Sequence, residues 1–455
     1  MTKLNANDQF TTLRIIETAR DFDHRLTELK PVSLVKNAKA RSDAIQCFPD
    51  RRRQTIIGFG GAFTESTGYV LQKLDTVQRA EVLQNYFDPA KGLGYSLCRT
   101  HINSCDFSLG NWACAEVPDD PELKHFNLDR TRQHIIPIIK EAQRVPGAKF
   151  LLFASPWSPP AWMKSNGEMN NGGHLLPQYR SAWALHYARF IECMEAEGVP
   201  IWGLTVQNEP AAAQRWDSCV YTAEEERDFV RDYLGPTLQQ RGLGDRKLMF
   251  WDHNCDLLLE RARVMYQDKA AAKFVWGAGF HWYSGPGFEE LDQTHREFPN
   301  KELIFTEGCQ EGGAKLGRWE TGERYGHNLI GHLRNWTTGW VDWNMALDIK
   351  GGPNHVGNFC DAPVLVDTEA GKVVYQPAFF YIGQVTKFVK PGAVCIESTS
   401  GTNELQNVAF RNQDGSIAVV VMNQTDQPKE VEIEIGANAA SSVCPPHAIQ
   451  TYVTR

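Results

Sequence analysis

Eight short apolar runs, separated by segments of helical periodicity, constrain the fold of this chain more than any other feature. Each run has the length and the β-branched or aromatic content of a buried strand, and segments such as TVQRAEVLQNYF repeat apolar residues every three to four positions. The predicted strands are residues 55–61, 95–102, 149–155, 201–207, 247–253, 274–283, 302–308 and 339–347. Eight strands that alternate with helices predict an α/β fold built on a (β/α)8 TIM barrel.

The segment after residue 385 has a different pattern. Its runs NVAFRNQ, SIAVVVMNQ, EVEIEIG and HAIQTYVT are short, rich in β-branched residues and separated by turn residues, which predicts an antiparallel β-sandwich side domain. The run PVSLVKN, near the N-terminus, can pair with that domain. We therefore predict an N-terminal segment (1–52) that contributes to the β side domain, a barrel (53–384) and a C-terminal β-sandwich (385–455).

Composition and charge exclude several classes of protein. Of the 455 residues, 42% are hydrophobic and 22% are charged, which is typical of a soluble globular protein, and the formal net charge is −8. The basic triplet Arg51-Arg52-Arg53 lacks a basic face or interleaved aromatic residues, so we interpret it as a solvated turn and expect no nucleic-acid partner. No apolar stretch approaches the roughly 18 residues that cross a bilayer, so we expect no membrane insertion.

The N-terminal residues and the cysteines indicate the compartment and the redox chemistry. The polar start MTKLNANDQFTTLRIIETARDFDHR has no apolar core of signal-peptide length, so we expect a cytoplasmic protein, or a secreted or periplasmic one if a leader has been cleaved. The eleven cysteines are scattered, with no C-x-x-C pair and no Cys/His cluster of zinc spacing. We expect buried, reduced thiols, no metal and no cofactor.

Polar side chains collect at the C-terminal ends of the predicted strands, where this type of barrel forms its active site. Glu209 follows strand 4 and Glu307 ends strand 7. The other strand ends carry Arg99, His101, Asn103, Asp106, Ser155, Trp157, Asn208, Asp252, His253, Asn254, His281, Tyr283, Asp342, Trp343 and Asn344. Two facing carboxyl groups are what hydrolysis of a glycosidic bond requires.

The two glutamates have distinct expected roles. Because both lie at the ends of rigid strands, we expect the spacing of roughly 5–5.5 Å that gives retention of configuration. We expect burial and a negative neighbour to raise the pKa of Glu209, the acid/base, while Glu307 stays ionised as the nucleophile. Asn208 can bond a sugar 2-hydroxyl, and Tyr283 can orient Glu307. The sugar would stack on tryptophans near the mouth, with candidates Trp157, Trp162, Trp282, Trp319 and Trp343.

The motifs themselves match a known family. GFGGAFTES, SCDFSLGNW, SPWSPPAWMK, LTVQNEP, FHWYSG, IFTEGCQ, VDWNMALD and GGPNHVGNF, in this order over residues 55–390, resemble glycoside hydrolase family 30 of clan A, which includes glucosylceramidase and β-1,6-glucanases. The resemblance implies that Glu209 is the acid/base and Glu307 the nucleophile. It also implies sugar contacts or supporting roles for Asp106, Trp157, Asn208, His281, Tyr283, Trp343 and Asn358.

The substrate is less constrained than the reaction. His355 stands where the lysosomal branch of the family has tryptophan, and the segments after strands 6 and 7 are polar, which favours a soluble glucan over a lipid aglycone. We therefore predict a carbohydrate substrate, first β-1,6-glucan or a gluco-oligosaccharide, then glucosylceramide or another small β-glucoside or β-xyloside. Endo or exo action, the oligomeric state, and whether Asp252 and Asp342 contact substrate or brace the barrel stay open.

Three rival classes fit the sequence less well. A Schiff-base lyase needs a lysine at a strand's C-terminal end, whereas Lys149 and Lys247 begin their strands. A zinc hydrolase would need paired ligand spacing, which His101, His253 and His281 lack. A catalytically inactive binding protein has no support, because both glutamates and their expected supporting residues are present.

Overall fold

The structure, a computed structural model, describes residues 10–36, 41–399 and 401–455. The first nine residues of the polar N-terminal stretch and Asn37 of PVSLVKN lie outside this part of the chain. The described residues form two compact units. One contains Phe59–Leu316 and Gly339–Val374; the other contains the described residues up to Gly58, Gly317–Thr338, and those from Tyr375 onward.

Eight parallel strands form a closed barrel whose neighbours follow chain order. They are β1 (Gly58–Phe63), β2 (Leu97–Ile102), β3 (Leu151–Pro156), β4 (Gly203–Thr205), β5 (Lys247–Asn254), β6 (Gly277–His281), β7 (Glu302–Glu307) and β8 (Thr337–Asn344). All six residues of β2 are buried, including Arg99 and His101, because both faces of a strand in such a barrel are covered. The predicted barrel is confirmed.

Each predicted run overlaps one barrel strand, although the bounds of every run differ at one end or both, and two differences have a structural cause. The β4 ladder covers only Gly203–Thr205, because the chain beyond it turns to place Asn208 and Glu209. The last predicted run is divided between β8 and a short strand, Ala346–Asp348, which pairs with Val364–Asp367. Lys372–Tyr375 completes that small three-stranded sheet.

Helices alternate with the strands as the periodicity predicts. In the barrel unit they are α1 (Glu65–Gln72), α2 (Thr76–Phe87), α3 (Thr131–Gln143), α4 (Arg180–Ala196), α5 (Ala223–Phe229), α6 (Gly235–Gln240), α7 (Leu258–Gln267), α8 (Lys269–Ala272) and α9 (Phe288–Glu297), with a π-helical turn at Val230–Leu234 and 3-10 turns at Ala161–Met163, Pro177–Tyr179 and Cys255–Leu257. Side-chain caps fix several starts: Asp75 accepts from two backbone amides of α2, and Thr222 with Glu225 forms a capping box on α5. Among the helices of the described residues, none is both long and apolar enough to span a bilayer.

The second unit holds α10 (Trp319–Arg334), α11 (Pro377–Thr386) and an eleven-stranded sheet. In sheet order the strands are His24–Glu28, Thr12–Ala19, Ala448–Thr454, Ile417–Asn423, Leu405–Arg411, Val394–Ser398, Ile45–Thr55, Lys429–Ile435, Asn438–Cys444 and Val35–Lys36, with Val32–Ser33 beside Thr12–Ala19. Apolar residues from both ends of the sheet, including Ile15, Val419 and Ile433, share one core, so the sheet closes on itself as a sandwich. All its neighbouring pairs are antiparallel except Ile45–Thr55 with Lys429–Ile435.

The Arg51-Arg52-Arg53 triplet was expected in a turn but lies within the strand Ile45–Thr55, where Arg51 stacks on Phe48 and pairs with Glu397. Because Arg51 and Arg52 are exposed, this part of the strand has the charged pattern that is also typical of a solvated turn. The domain boundaries at residues 52/53 and 384/385 stay a prediction.

Candidate active site

The chain that follows β4 places Asn208 and Glu209 through backbone hydrogen bonds. The Asn208 amide donates to the Pro156 carbonyl (2.8 Å), and the Glu209 amide donates to the Asp252 carbonyl (3.0 Å). Glu209 has a φ of 48°, in the left-handed region that costs a residue with a side chain about 1–2 kcal/mol. Such strain is retained where the surrounding structure fixes it, and it is concentrated at functional sites.

The carboxyl groups of Glu209 and Glu307 meet at the C-terminal end of the barrel. An oxygen of each carboxyl group and a ring nitrogen of His281 all lie within 4.8 Å of one another. Both glutamates are buried, Glu209 at 8% and Glu307 at 5% exposure. Carboxylate oxygens within 4.8 Å of each other fit the roughly 5–5.5 Å spacing of glycosidases that retain configuration and are too close for the roughly 6.5–9.5 Å of those that invert it.

Arg99 of β2 is buried inside the barrel and donates hydrogen bonds to three residues of the site. Its Nη1 donates to Oε2 of Glu307 (2.5 Å), and its Nη2 donates to Oδ1 of Asn208 and Oδ2 of Asp252 (2.8 Å each). The bond from Arg99 fixes the orientation of the Asn208 amide, so the NH2 group of Asn208 can donate to a ligand. A buried guanidinium is stable only with such partners.

Aromatic side chains form one wall of the site. Trp157 and Trp343 stack at 5.0 Å between ring centroids, and the Arg99 guanidinium lies 4.6 Å and 5.3 Å from their respective ring centroids. On the other side, the Tyr283 hydroxyl donates to Oε1 of Glu307 (3.0 Å). Glu307 therefore receives one donor on each carboxylate oxygen.

These residues enclose a cavity of about 200 Å³. Of the nine residues to which the family resemblance assigns a role, eight line it: Asp106, Trp157, Asn208, Glu209, Tyr283, Glu307, Trp343 and Asn358. The other tryptophans expected to stack on the sugar, Trp162, Trp282 and Trp319, are not among its lining residues. His281 is fully buried and does not line the cavity, but it contacts the lining residues Glu209 and Tyr283. The remaining lining residues are Phe107, Gln214, Trp216, His253, Asn254, Cys309, Glu311 and Cys360.

Asp106 offers the cavity a carboxyl group held by two amides. Asn354 and Asn358 donate to its Oδ2 at 3.1 Å and 3.2 Å. Burial, together with the charge of Glu307, raises the pKa of Asp106 to about 7 against these two hydrogen bonds. A carboxyl group with this pKa can accept from or donate to a sugar hydroxyl near neutral pH.

His281 carries a positive charge beside Glu209. Burial opposes that charge, but Glu307, Asp252 and Glu209 together raise the pKa of His281 to about 9. Its Nε2 bonds Asp252 (3.0 Å) and its Nδ1 lies 3.4 Å from Oε1 of Glu209. The ring is therefore an imidazolium near neutral pH, donating to a carboxylate on either side.

The two glutamates titrate differently from the sequence-based expectation. Burial raises the pKa of Glu307 above its ordinary value, against the opposing charges of His281 and Arg99. Burial acts the same way on Glu209, but the His281 hydrogen bond and the charges of His253 and His281 outweigh it and lower the pKa. The expected rise in the pKa of Glu209 is therefore wrong, because the sequence does not place His281 beside it.

The cluster of Glu209, His281 and Glu307 has the donor types of a metal site. A metal ligand must be a neutral imidazole with one nitrogen available. Here both ring nitrogens face carboxylates and the pKa of about 9 keeps the ring protonated. This arrangement therefore fits a His281 imidazolium that is hydrogen-bonded to the carboxylates of Glu209 and Asp252.

Sequence reasoning missed some of the site and left part of it undecided. Arg99 was visible only as one polar residue at a strand end, and Gln214, Trp216 and Glu311 lie in loops with no periodic signal. Asp252, left open between contacting substrate and bracing, is fully buried and bonds Arg99, Thr205 and His281, so it braces the barrel. Asp342 is also buried and is not among the residues that line the cavity.

A TIM barrel with paired carboxyl groups at this spacing, on the ends of its fourth and seventh strands, defines a retaining β-glycoside hydrolase. Comparison with known proteins agrees with this class. The Glycosyl hydrolase family 30 TIM-barrel domain matches residues 56–389, and the family 30 beta sandwich domain matches residues 392–452. The chain belongs to glycosyl hydrolase family 30.

Relatives with two different named activities lie within this family. The chain is 34% identical to the lysosomal acid glucosylceramidase of Mus musculus (95% of this chain, 87% of the relative) and 30% identical to the endo-1,6-beta-D-glucanase of Neurospora crassa (85% and 82%). Among solved structures it is similar to SrfJ from Salmonella typhimurium (TM-score 0.93, 34% identity, 98% and 99% covered). It is also similar to the endo-beta1,6-glucanase BT3312 (TM-score 0.87, 29% identity, 97% and 99% covered).

Proposed function

We propose that this enzyme cleaves β-D-glucosidic bonds with Glu209 as acid/base and Glu307 as nucleophile, and that its leading substrate is β-1,6-glucan. The observation that carries the proposal is the small cavity, in which two carboxyl groups face a ring-sized space bounded by Asp106 and by the Trp157–Trp343 stack. Two relatives named as β-1,6-glucanases, one of them with a TM-score of 0.87, support the choice of linkage.

In the first step, Glu307 attacks the anomeric carbon while Glu209 protonates the leaving oxygen. Arg99 and Tyr283 hold the two oxygens of Glu307, so little orientational freedom is lost when the bond forms. The proton for Glu209 can come from His281, whose Nδ1 lies 3.4 Å away. Among the neighbouring charges, that of Glu307 does most to raise the pKa of His281. Esterification removes this charge, so the pKa of His281 falls and transfer of its proton to Glu209 is favoured.

In the second step, water attacks the glucosyl ester from the side of Glu209. Glu209 accepts the proton of that water, the bond from Glu307 to the anomeric carbon breaks, and two inversions give net retention. Glu209 then returns the proton to His281, because the freed Glu307 carboxylate again favours the charged imidazolium. Asn208 donates its NH2 group to the 2-hydroxyl, a contact that strengthens in the transition state.

Glucosylceramide is the second candidate substrate. The observation that favours it is the 34% identity to the mouse lysosomal acid glucosylceramidase over 95% of this chain. The catalytic cavity suits either substrate, because both present a β-glucosyl ring and differ in what is attached to it.

A substrate panel tests the proposal. Purified enzyme is incubated with pustulan, laminarin, an aryl β-glucoside, an aryl β-xyloside and glucosylceramide in detergent, and products are followed by NMR at the anomeric carbon. Release of gentio-oligosaccharides or glucose from pustulan with retention is the expected result. Turnover of glucosylceramide but not pustulan would select the second candidate, and silence on every β-glucoside would overturn the proposal.

Replacing the nucleophile gives a sharper result for the two glutamates. We expect Glu307→Ala to lose turnover of an aryl β-glucoside, by about 10⁴-fold or more, because no covalent step is possible. Added azide should restore it with an inverted α-glucosyl azide product. As the matched control, Glu209→Ala should give the β-glucosyl azide, and an α-azide from Glu209→Ala would reverse the assignment.

A further inference from the structure

A second groove lies at the same end of the barrel as the catalytic cavity. It is formed by the segments that follow β2 and β3, around Asn111–Pro118 and Pro160–Asn170. Its volume is about 620 Å³, about three times the roughly 200 Å³ of the catalytic cavity. This is within the range of roughly 300–1,000 Å³ typical of ligand sites.

The groove has a fixed aromatic wall. The Trp162 ring is half-buried, its Nε1 donates to the Ala115 carbonyl (2.9 Å), and Tyr179 packs edge-on against it at 4.8 Å. The indole N–H is thus already used, so what Trp162 offers a ligand is ring surface. The C–H face of a β-glucopyranose ring is the kind of flat apolar surface that such a ring can bury.

Amides and carboxylates surround this wall. Asn111 donates both amide hydrogens within the protein, to Asn170 Oδ1 (2.8 Å) and Asp217 Oδ1 (3.0 Å), so it can offer a ligand its carbonyl oxygen, while Asn170 can offer its NH2. Glu116 and Glu168 add acceptors. Among the described residues that line the groove none is Lys, Arg or His, so the chemistry suits a neutral polyhydroxyl ligand and disfavours an anionic one.

A short chain of hydrogen bonds joins the groove to the catalytic cavity. Asn111 donates to Asp217, the other carboxylate oxygen of Asp217 bonds His355 Nε2 (2.8 Å), and the His355 amide donates to the Asp106 carbonyl (3.1 Å). Asp106 lines the catalytic cavity. The groove is therefore connected to the lining of the catalytic cavity through Asp217 and His355.

We propose that this groove is a second carbohydrate-binding site, which holds neutral β-glucan residues remote from the bond that is cleaved, with Trp162 as its stacking surface. The proposal rests on the proposed glucosidase function and extends it. Binding there would raise the affinity for chains longer than the catalytic cavity can hold and would leave the chemical step unchanged.

The test separates the groove from the catalytic cavity by substrate length. We expect Trp162→Ala to lower kcat/KM on pustulan about tenfold, mainly through KM, and to leave kcat/KM on an aryl β-glucoside unchanged. The matched control Trp162→Phe keeps a ring and should retain most activity on pustulan. Thermal melting of each variant shows whether the fold is intact.

A binding experiment keeps the proposal testable should Trp162→Ala fold poorly. Gentio-oligosaccharides of increasing length are titrated into Glu307→Gln by calorimetry, and the affinity should keep rising beyond the length that fills the catalytic cavity. The proposed second site is refuted if the affinity stops rising at the length that fills the catalytic cavity. It is also refuted if a folded Trp162→Ala variant has the same ratio of pustulan to aryl-glucoside activity as the wild type. A loss confined to glucosylceramide would instead make the groove an aglycone site. If the wild type hydrolyses none of the β-glucosides, the proposed function itself is refuted. That result differs from the outcomes above, which leave activity on the aryl β-glucoside intact.

Discussion

The buried hydrogen bonds of Arg99 connect residues that are far apart in the sequence. Removing a guanidinium from water costs several kcal/mol, and Arg99 is fully buried, so its bonds to Glu307, Asp252 and Asn208 must offset that cost. The sequence showed Arg99 as one polar residue at a strand end, but these three partners lie 109 to 208 residues away. No local pattern encodes a separation of that length, so the strand ends were predictable and the network between them was not.

The charge on His281 predicts a pH dependence of stability. Its pKa is raised from 6.5 to about 9 in the folded protein, so its contribution is complete below pH 6.5 and is lost as the pH rises to about 9. The shift corresponds to roughly 3 kcal/mol. We expect the unfolding free energy of the wild type, measured in urea, to fall more steeply than that of His281→Gln over this range.

His186 supplies the matched control for that measurement. It is also fully buried, but burial lowers its pKa to about 3, so above pH 7.5 it is neutral in both folded and unfolded protein. His186→Gln should therefore shift stability by a constant amount between pH 7.5 and 9. Parallel curves for the wild type and His281→Gln would show that His281 is not charged in the folded protein.

At the scale of elements, the barrel strands were easier to predict than those of the side domain. A strand buried on both faces is a continuous apolar run, which the sequence displays directly. Ile45–Thr55 instead carries PDRRRQ on a partly exposed sheet, and Thr12–Ala19 lies in a stretch that looked polar as a whole. Both were missed, because their pairing with Val394–Ser398 and Ala448–Thr454 depends on residues more than 300 positions away.

The pairing of β1 with β2 depends on a glycine. A Cβ added at Gly60 would lie 1.9 Å from the Leu97 carbonyl oxygen, so the two strands would have to separate. We expect Gly60→Ala to lower the unfolding free energy by about 3 kcal/mol, measured by urea denaturation, and to reduce activity because β2 carries Arg99. Gly110→Ala is the control, since its Cβ would meet nothing within 4 Å and should change stability by less than about 0.5 kcal/mol. Equal effects of the two substitutions would contradict this account of β1.

At the scale of the whole molecule, the two ends of the chain share one sheet. Thr12–Ala19 pairs with Ala448–Thr454 over seven residues, and Ile45–Thr55 lies between Val394–Ser398 and Lys429–Ile435. The core of this unit likewise combines Leu13 and Ile45 from the start of the chain with residues such as Val421 from its end. The N-terminal strands thus have their main partners in the last 65 residues, and the order of elements along the chain is not their order in space.

A truncation measures how far the molecule depends on this arrangement. A chain that ends at residue 390 keeps the N-terminal strands but removes the partners of Thr12–Ala19 and Ile45–Thr55, leaving sheet edges and apolar core residues exposed. Exposed edges of this kind pair between molecules, so we expect most of the truncated protein to elute as aggregate in size-exclusion chromatography. Co-expression of residues 391–455 as a separate chain is the control and should restore monomer-sized material with activity. A truncated chain that elutes at the mass of a monomer and retains wild-type kcat/KM on an aryl β-glucoside would contradict this expectation. It would show that the barrel folds and is active without the strands of residues 391–455.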